Sequence, residues 1–126
     1  MSNKEIVERR KNERFQGKNG VFVAFRPHYT KLGQISDIGM EGLSFHYMVR
    51  EEQSNESSDV LDIVVTKGDF YLGKVPFETV SDFKISKVPI SSITIKRCSV
   101  KFGALTDDQK SQLEDFIQNH TTGTVH

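Results

Sequence analysis

The chain has 126 residues, with 17 basic side chains against 17 acidic ones and a single cysteine. That length suits one domain, which buries roughly two-thirds of the surface its unfolded form would expose and needs neither disulfide nor metal for stability. The balanced charge argues against bulk binding to DNA or RNA, where a basic footprint supplies the affinity.

Residues 1–20 are polar and read as a flexible, arginine-rich arm. Lys4, Arg9, Arg10, Lys11, Arg14 and Lys18 there outnumber Glu5, Glu8 and Glu13, a local excess that suits a small anionic partner. The remainder, 21–126, reads as the folded part of a single domain overall spanning 8–120. Its first strand is Val21 to Phe25, rich in residues that favour pleated structure. This run is the longest apolar one and is far too short to cross a bilayer, which takes about 20 residues. No apolar signal segment opens the chain, so no membrane insertion is expected and the cytoplasm is the default compartment.

Leu32 to Ile38 forms a second strand and runs into the turn Asp37-Ile38-Gly39-Met40-Glu41-Gly42. Leu43, Phe45 and Tyr47 then alternate with Ser44 and His46, the period of a strand with one buried face. Glu51 to Ser58 has nothing to bury and reads as a loop. Leu61 to Val65 is the next strand. Lys67-Gly68-Asp69 turns the chain into Phe70 to Val75, and Pro76 separates that run from another strand, Phe77 to Phe83. The last strand carries Ile93 and Ile95, then Cys98, Val100 and Phe102. The apolar phase shifts near Lys96-Arg97, which predicts a bulge or bend there.

One helix follows, at 106–120. Thr106 is its N-cap, with Gln109 placed for a capping box and Asp107 and Asp108 in the first turn. Leu113, Phe116 and Ile117 make its apolar stripe. Short strands in this rhythm, then one amphipathic helix, predict a mainly β protein: a small antiparallel barrel with the helix laid across it.

The chain is poor in catalytic patterns. His28, His46, His120 and His126 share no metal-ligand spacing, and no nucleophile elbow or phosphate-binding loop occurs. No enzyme activity, metal or cofactor is expected. Cys98, in an apolar alternation, reads as a small core residue. The arm and the turn are more informative. Guanidinium groups grip phosphates through paired donors and stack on flat bases. Asp37 can accept hydrogen bonds from a guanine N–H edge. Gly39 and Gly42 allow backbone conformations closed to other residues and a close approach by a ligand.

Together these residues resemble the PilZ family of cyclic di-GMP receptors. Its signature is Arg-x-x-x-Arg in an N-terminal arm, then Asp or Asn-x-Ser-x-x-Gly at a strand turn. The matching segments are Arg10-Lys11-Asn12-Glu13-Arg14 and Asp37-Ile38-Gly39-Met40-Glu41-Gly42, and Val100-Lys101-Phe102 with Leu105-Thr106 opening the helix is similar as well. The resemblance implies a six-stranded antiparallel PilZ-type β-barrel with a C-terminal helix and the basic arm. It also implies a ligand site for cyclic di-GMP formed by Arg9, Arg10, Arg14, Asp37, Gly39 and Gly42. Arg10 and Arg14 would hold phosphates and guanines with help from Arg9, Asp37 would read a guanine, and Gly42 would shape the turn. The arm would fold over the nucleotide, and a monomer or weak dimer would signal to an effector protein in trans. The alternative is a protein-interaction module that keeps the fold without the nucleotide. Gly39 stands where the family has serine. The missing hydroxyl predicts that binding is weakened but not abolished, and that Gly39→Ser leaves affinity equal or tighter.

Overall fold

The computed structural model describes residues 13–27, 29, 31–50, 58–68, 70–87 and 92–125. Among the described residues, eight strands run in sequence as β1 (Phe15–Gly17), β2 (Val21–Phe25), β3 (Leu32–Ile38), β4 (Gly42–Arg50), β5 (Val60–Val65), β6 (Tyr71–Lys87), β7 (Ile93–Phe102) and β8 (Thr121–Thr124). One helix, α1 (Asp107–His120), lies between β7 and β8. The period-two alternation is what closes the sheet. Val21, Val23 and Phe25 on β2, Phe45 and Tyr47 on β4, Leu61 and Ile63 on β5, and Cys98 and Val100 on β7 are all buried, so each strand turns one face to a common interior. Neighbouring strands follow the order β2-β5-β6-β7-β4-β3, and β3 pairs back onto β2. The result is a closed six-stranded antiparallel barrel, which leaves no open edge around its ring. Phe25 sits against Phe45 and Phe77 with ring centroids 5.3 and 4.4 Å apart, filling the interior.

Pro76 does not divide two strands. β6 runs through it for 17 residues. On one side Pro76 lies opposite Val60 of β5, and on the other Phe77 lies opposite Phe102 of β7. Proline sits where the strand changes partner, at a corner where its missing N–H costs little, and its carbonyl still accepts from the Gly103 amide at 2.7 Å.

The expected irregularity near Lys96-Arg97 is also placed differently. β7 pairs with β4 without interruption from Gly42↔Lys101 to Arg50↔Ile93, and the register shifts fall on β6, between Thr79 and Ser81 and between Lys84 and Ser86. Ile95 is cross-strand from exposed Met48 on the outer face. The apolar phase therefore changes because Ile93 and Ile95 lie on the outer face, only partly buried, while the backbone of β7 stays regular against β4.

Helix α1 begins as the sequence predicts. The Thr106 hydroxyl accepts from the Gln109 amide at 3.1 Å, and the Gln109 side chain accepts from the Thr106 amide at 3.0 Å. The Gln109 side-chain amide also donates to the carbonyls of Gly73 and Lys74, which ties the first turn to β6. Leu113 and Phe116 are buried in the core, with Phe116 against Phe70. Among the described residues, no helix is long and apolar enough to cross a membrane.

Two short strands lie outside the barrel ring. β1 pairs with the end of β3 (Phe15↔Ile38, Gln16↔Asp37), and β8 pairs with the other edge of β1 (Phe15↔Thr124, Gly17↔Thr121). The end of the expected flexible arm is thus a strand held on both edges. The chain beyond the helix, which carries no apolar pattern, is the strand that holds it.

Candidate functional site

Asp37 lies near the end of β3, directly opposite Ser44 of β4 and Gln16 of β1. Its two carboxylate oxygens have different partners. Nη1 of Arg14, one residue before β1, donates to Oδ1 at 3.1 Å, and Nη2 of Arg97 on β7 donates to Oδ2 at 3.1 Å. All three side chains are partly buried. A carboxylate has about four lone-pair sites and two are used here, so acceptor capacity remains for further N–H groups. Two guanidinium charges against one carboxylate leave the spot locally positive, and each guanidinium keeps donors turned away from Asp37.

The register explains how Arg97 comes there. Directly opposed residues of antiparallel strands point to the same side of the sheet. Asp37, Ser44, Ser99 and Ser81 form one outward row across four strands, and His46, Arg97 and Phe83 form the next. The Ser44 and Ser99 hydroxyls bond to each other at 2.8 Å. From the second row, Arg97 spans β4 to reach Asp37. Arg97 is a candidate site side chain that the sequence does not single out. The signal was present at Lys96-Arg97, where charge interrupts an apolar strand, but without register the interruption reads as a backbone irregularity.

Gly39 and Gly42 close the turn through a bond from the Gly39 amide to the Gly42 carbonyl at 2.9 Å. Neither has positive φ, so their role is space and not a special dihedral. A Cβ on Gly42 would run into the Val100 carbonyl of β7, and one on Gly39 would run into the Glu13 carbonyl and crowd Cδ of Arg14 at 3.1 Å. The glycine in the serine position is therefore what lets the arm lie against the turn. The expectation that serine would be welcome at Gly39 does not fit this packing. Arg14, Asp37, Gly39 and Gly42 are brought together, whereas Arg9 and Arg10 lie outside the described residues.

Beside Asp37 and Arg97 lies a cavity of about 640 Å³, bordered by Gln16, Asn19, Gln34, Ser36, His46 and Val125. Its volume falls in the range of small-molecule sites, roughly 300–1,000 Å³. Amides, hydroxyl and imidazole offer both donors and acceptors, the equipment needed to read the edge of a heterocyclic base. Among the described residues, no group of three or more His, Cys, Asp or Glu side chains could hold a metal ion.

A second polar cluster lies on the barrel's inner side and serves packing. Asp82 accepts from the Tyr47 hydroxyl at 2.7 Å and from Lys31 at 2.9 Å, with Lys96 at 3.5 Å. Burial pushes the Asp82 carboxyl up, but the bonds from Tyr47 and Lys31 and the charges of Lys31 and Lys96 outweigh it and hold it below its ordinary value. Burial and the bond to Asp82 raise the Tyr47 phenol. Burial pushes the Cys98 thiol up to about 11, as expected of an inert core cysteine.

Similarity to known proteins is carried by shape. No family model and no curated protein matches the chain. Among solved structures, the chain is similar to the PilZ domain, with c-di-GMP, of YcgR from Escherichia coli, with TM-score 0.58 and 16% identity over 88% of this chain and 91% of that one. It is also similar to MrkH, described as a c-di-GMP-dependent transcription regulatory factor, with TM-score 0.53 and 14% identity over 87% of this chain. There it spans 50% of the solved chain. At such identities the likeness carries architecture, and it agrees with the closed six-stranded barrel and its C-terminal helix: the chain has the PilZ-type fold.

Proposed function

We propose that this protein is a non-catalytic receptor for cyclic di-GMP that changes conformation on binding and signals to a partner protein in trans. The observation that carries the reading is Asp37 held between Arg14 from the arm and Arg97 from the barrel, beside a polar cavity. A cyclic dinucleotide has two phosphodiester anions and two purine edges rich in N–H donors. Its phosphates compete with Asp37 for the guanidinium groups, and its guanine N–H groups take up the carboxylate that those arginines release. Arg10 and Arg9 add donors from the arm, and Gly42 shapes the turn beneath the ligand. Exchange of an internal ion pair for ligand contacts moves the arm, which is the conformational change a partner senses. A PilZ domain solved with this nucleotide at a similar fold supports the reading.

Isothermal titration on the purified protein tests it. Cyclic di-GMP is expected to bind in the micromolar range. Arg10→Ala, Arg14→Ala and Arg97→Ala are each expected to weaken binding at least tenfold, because a charge-assisted hydrogen bond contributes about 1.5–3 kcal/mol. No heat at high micromolar nucleotide overturns the receptor reading and leaves the interaction module.

A further inference from the structure

We infer that strand β8 and the residue that follows it, Val125, belong to the ligand site: the backbone amide of Val125 sets the position of Arg14. This deepens the receptor reading and rests on it for the identity of the ligand. Arg14 must present its guanidinium to Asp37 from the border of a strand only three residues long. So short a strand has little stability of its own, and a long side chain on a mobile backbone loses much conformational freedom when it pairs.

The two peptide groups that flank the Arg14 α-carbon are each fixed by a different element. On the N-terminal side, the Glu13 carbonyl lies where a Cβ on residue 39 would stand, so glycine in the turn seats it. On the C-terminal side, the Arg14 carbonyl accepts a hydrogen bond from the Val125 amide at 2.8 Å. Just past the other end of β1, Lys18 is tied to the last residues of α1. The Lys18 amide donates to the His120 carbonyl at 3.0 Å, and the Lys18 ammonium group donates to the Asn119 carbonyl at 3.0 Å. The inner edge of β1 meanwhile pairs with β3. Val125 also borders the cavity beside Asp37. β8 thus holds an arginine ready where Asp37 alone would have to capture it, and such preorganisation is expressed as affinity.

A strand that merely shields the outer edge of β1 predicts the same pairing but no effect on ligand. The experiment therefore reads two quantities in full-length protein. Val125→Pro removes the amide that reaches Arg14 and leaves the core untouched. Val125→Ala keeps that amide and is its conservative companion. In the nucleotide-free protein, hydrogen exchange of the Phe15–Lys18 amides is expected to quicken at least tenfold in Val125→Pro. In calorimetry, Val125→Pro is expected to bind cyclic di-GMP at least tenfold more weakly than wild type, and Val125→Ala at least fivefold more tightly than Val125→Pro. Unchanged exchange overturns the clamp. Faster exchange with unchanged affinity shows that β8 only shields the edge, and it overturns the positioning role. If the wild-type protein takes up no nucleotide while exchange still quickens, the receptor reading and the role of β8 in binding fall together, and the mechanical clamp alone stands.

Discussion

Gly39 differs by one side chain from the signature that the chain resembles, and its surroundings reverse the meaning of that difference. A missing hydroxyl alone removes about 0.5–1.5 kcal/mol, and returning it looks harmless from the sequence. In the folded chain the Cβ that would carry it collides with the Glu13 carbonyl. Gly39→Ser and Gly39→Ala are therefore expected to weaken cyclic di-GMP binding by displacing Arg14. Overpacking of this kind typically costs about 1–3 kcal/mol, or roughly fivefold to a hundredfold in affinity. Titration of both variants checks this, and tighter binding by Gly39→Ser would mean that the arm yields without loss. At this scale Arg14, Asp37 and the two turn glycines were legible because their spacing in the chain is itself a pattern. Arg97 was not, since its relation to Asp37 exists only through the β4–β7 register. Asp62, 1% exposed, is a second case that spacing hides. It accepts from Nε of Arg26 at 2.8 Å and from the Lys74 amide at 3.0 Å. Asp62→Ala is expected to lower unfolding stability by about 2–3 kcal/mol, read as a shifted denaturant midpoint, because both donors lose a buried acceptor.

Among the elements, those that bury an apolar face were readable. β2, β3, β5, β7 and α1 begin and end close to where alternation, capping and turn residues place them. Three elements escaped for one physical reason, which is that partner strands stabilise them and their own side chains do not; the first is β1, read as arm and held between β3 and β8. β8 reads Thr-Thr-Gly-Thr and is held by backbone pairing to β1. β6 continues through Pro76 because it exchanges one partner for another at that residue. The cluster that joins β6 to β4 and β7 carries its own expectation. Asp82 has a lowered folded-state pKa, so its contribution is complete above the ordinary carboxylate value of about 3.9 and is lost as pH falls through the lower folded value. Denaturant midpoints from pH 7 to pH 3 should fall at the acid end in wild type and fall less in Asp82→Asn, which starts less stable. Parallel curves for the two proteins would remove Asp82 from the acid response.

For the whole molecule, the barrel and the site differ in how they are built. The ring is a continuous hydrophobic core with Phe45, Ile63, Leu113 and Phe116 at its centre. Cys98 sits within it, fully buried, with its thiol raised to about 11. It is expected to resist a thiol reagent at pH 8 until the barrel opens globally, so labelling rates should follow global unfolding across a denaturant series. Labelling that is fast in native buffer would contradict that placement. β1 and β8 form no part of this core, and their amides are expected to exchange before those of β4 and β7, since stability is distributed unevenly over a fold.

The pairing of β1 with β8 also has a consequence in time. Residues joined there are far apart in sequence, 106 positions from Gln16 to Thr122. Closing so long a loop delays its contacts until the intervening chain is organised. The barrel can therefore form first as a body with Asp37 in place and Arg14 unset. The pair of strands that presents Arg14 is therefore expected to form late in folding and to open early on partial unfolding. On the receptor reading, a molecule whose strand β8 is unmade, frayed or cut is expected to keep its core and lose affinity for the nucleotide, so that occupancy by ligand would report that β1 and β8 are paired.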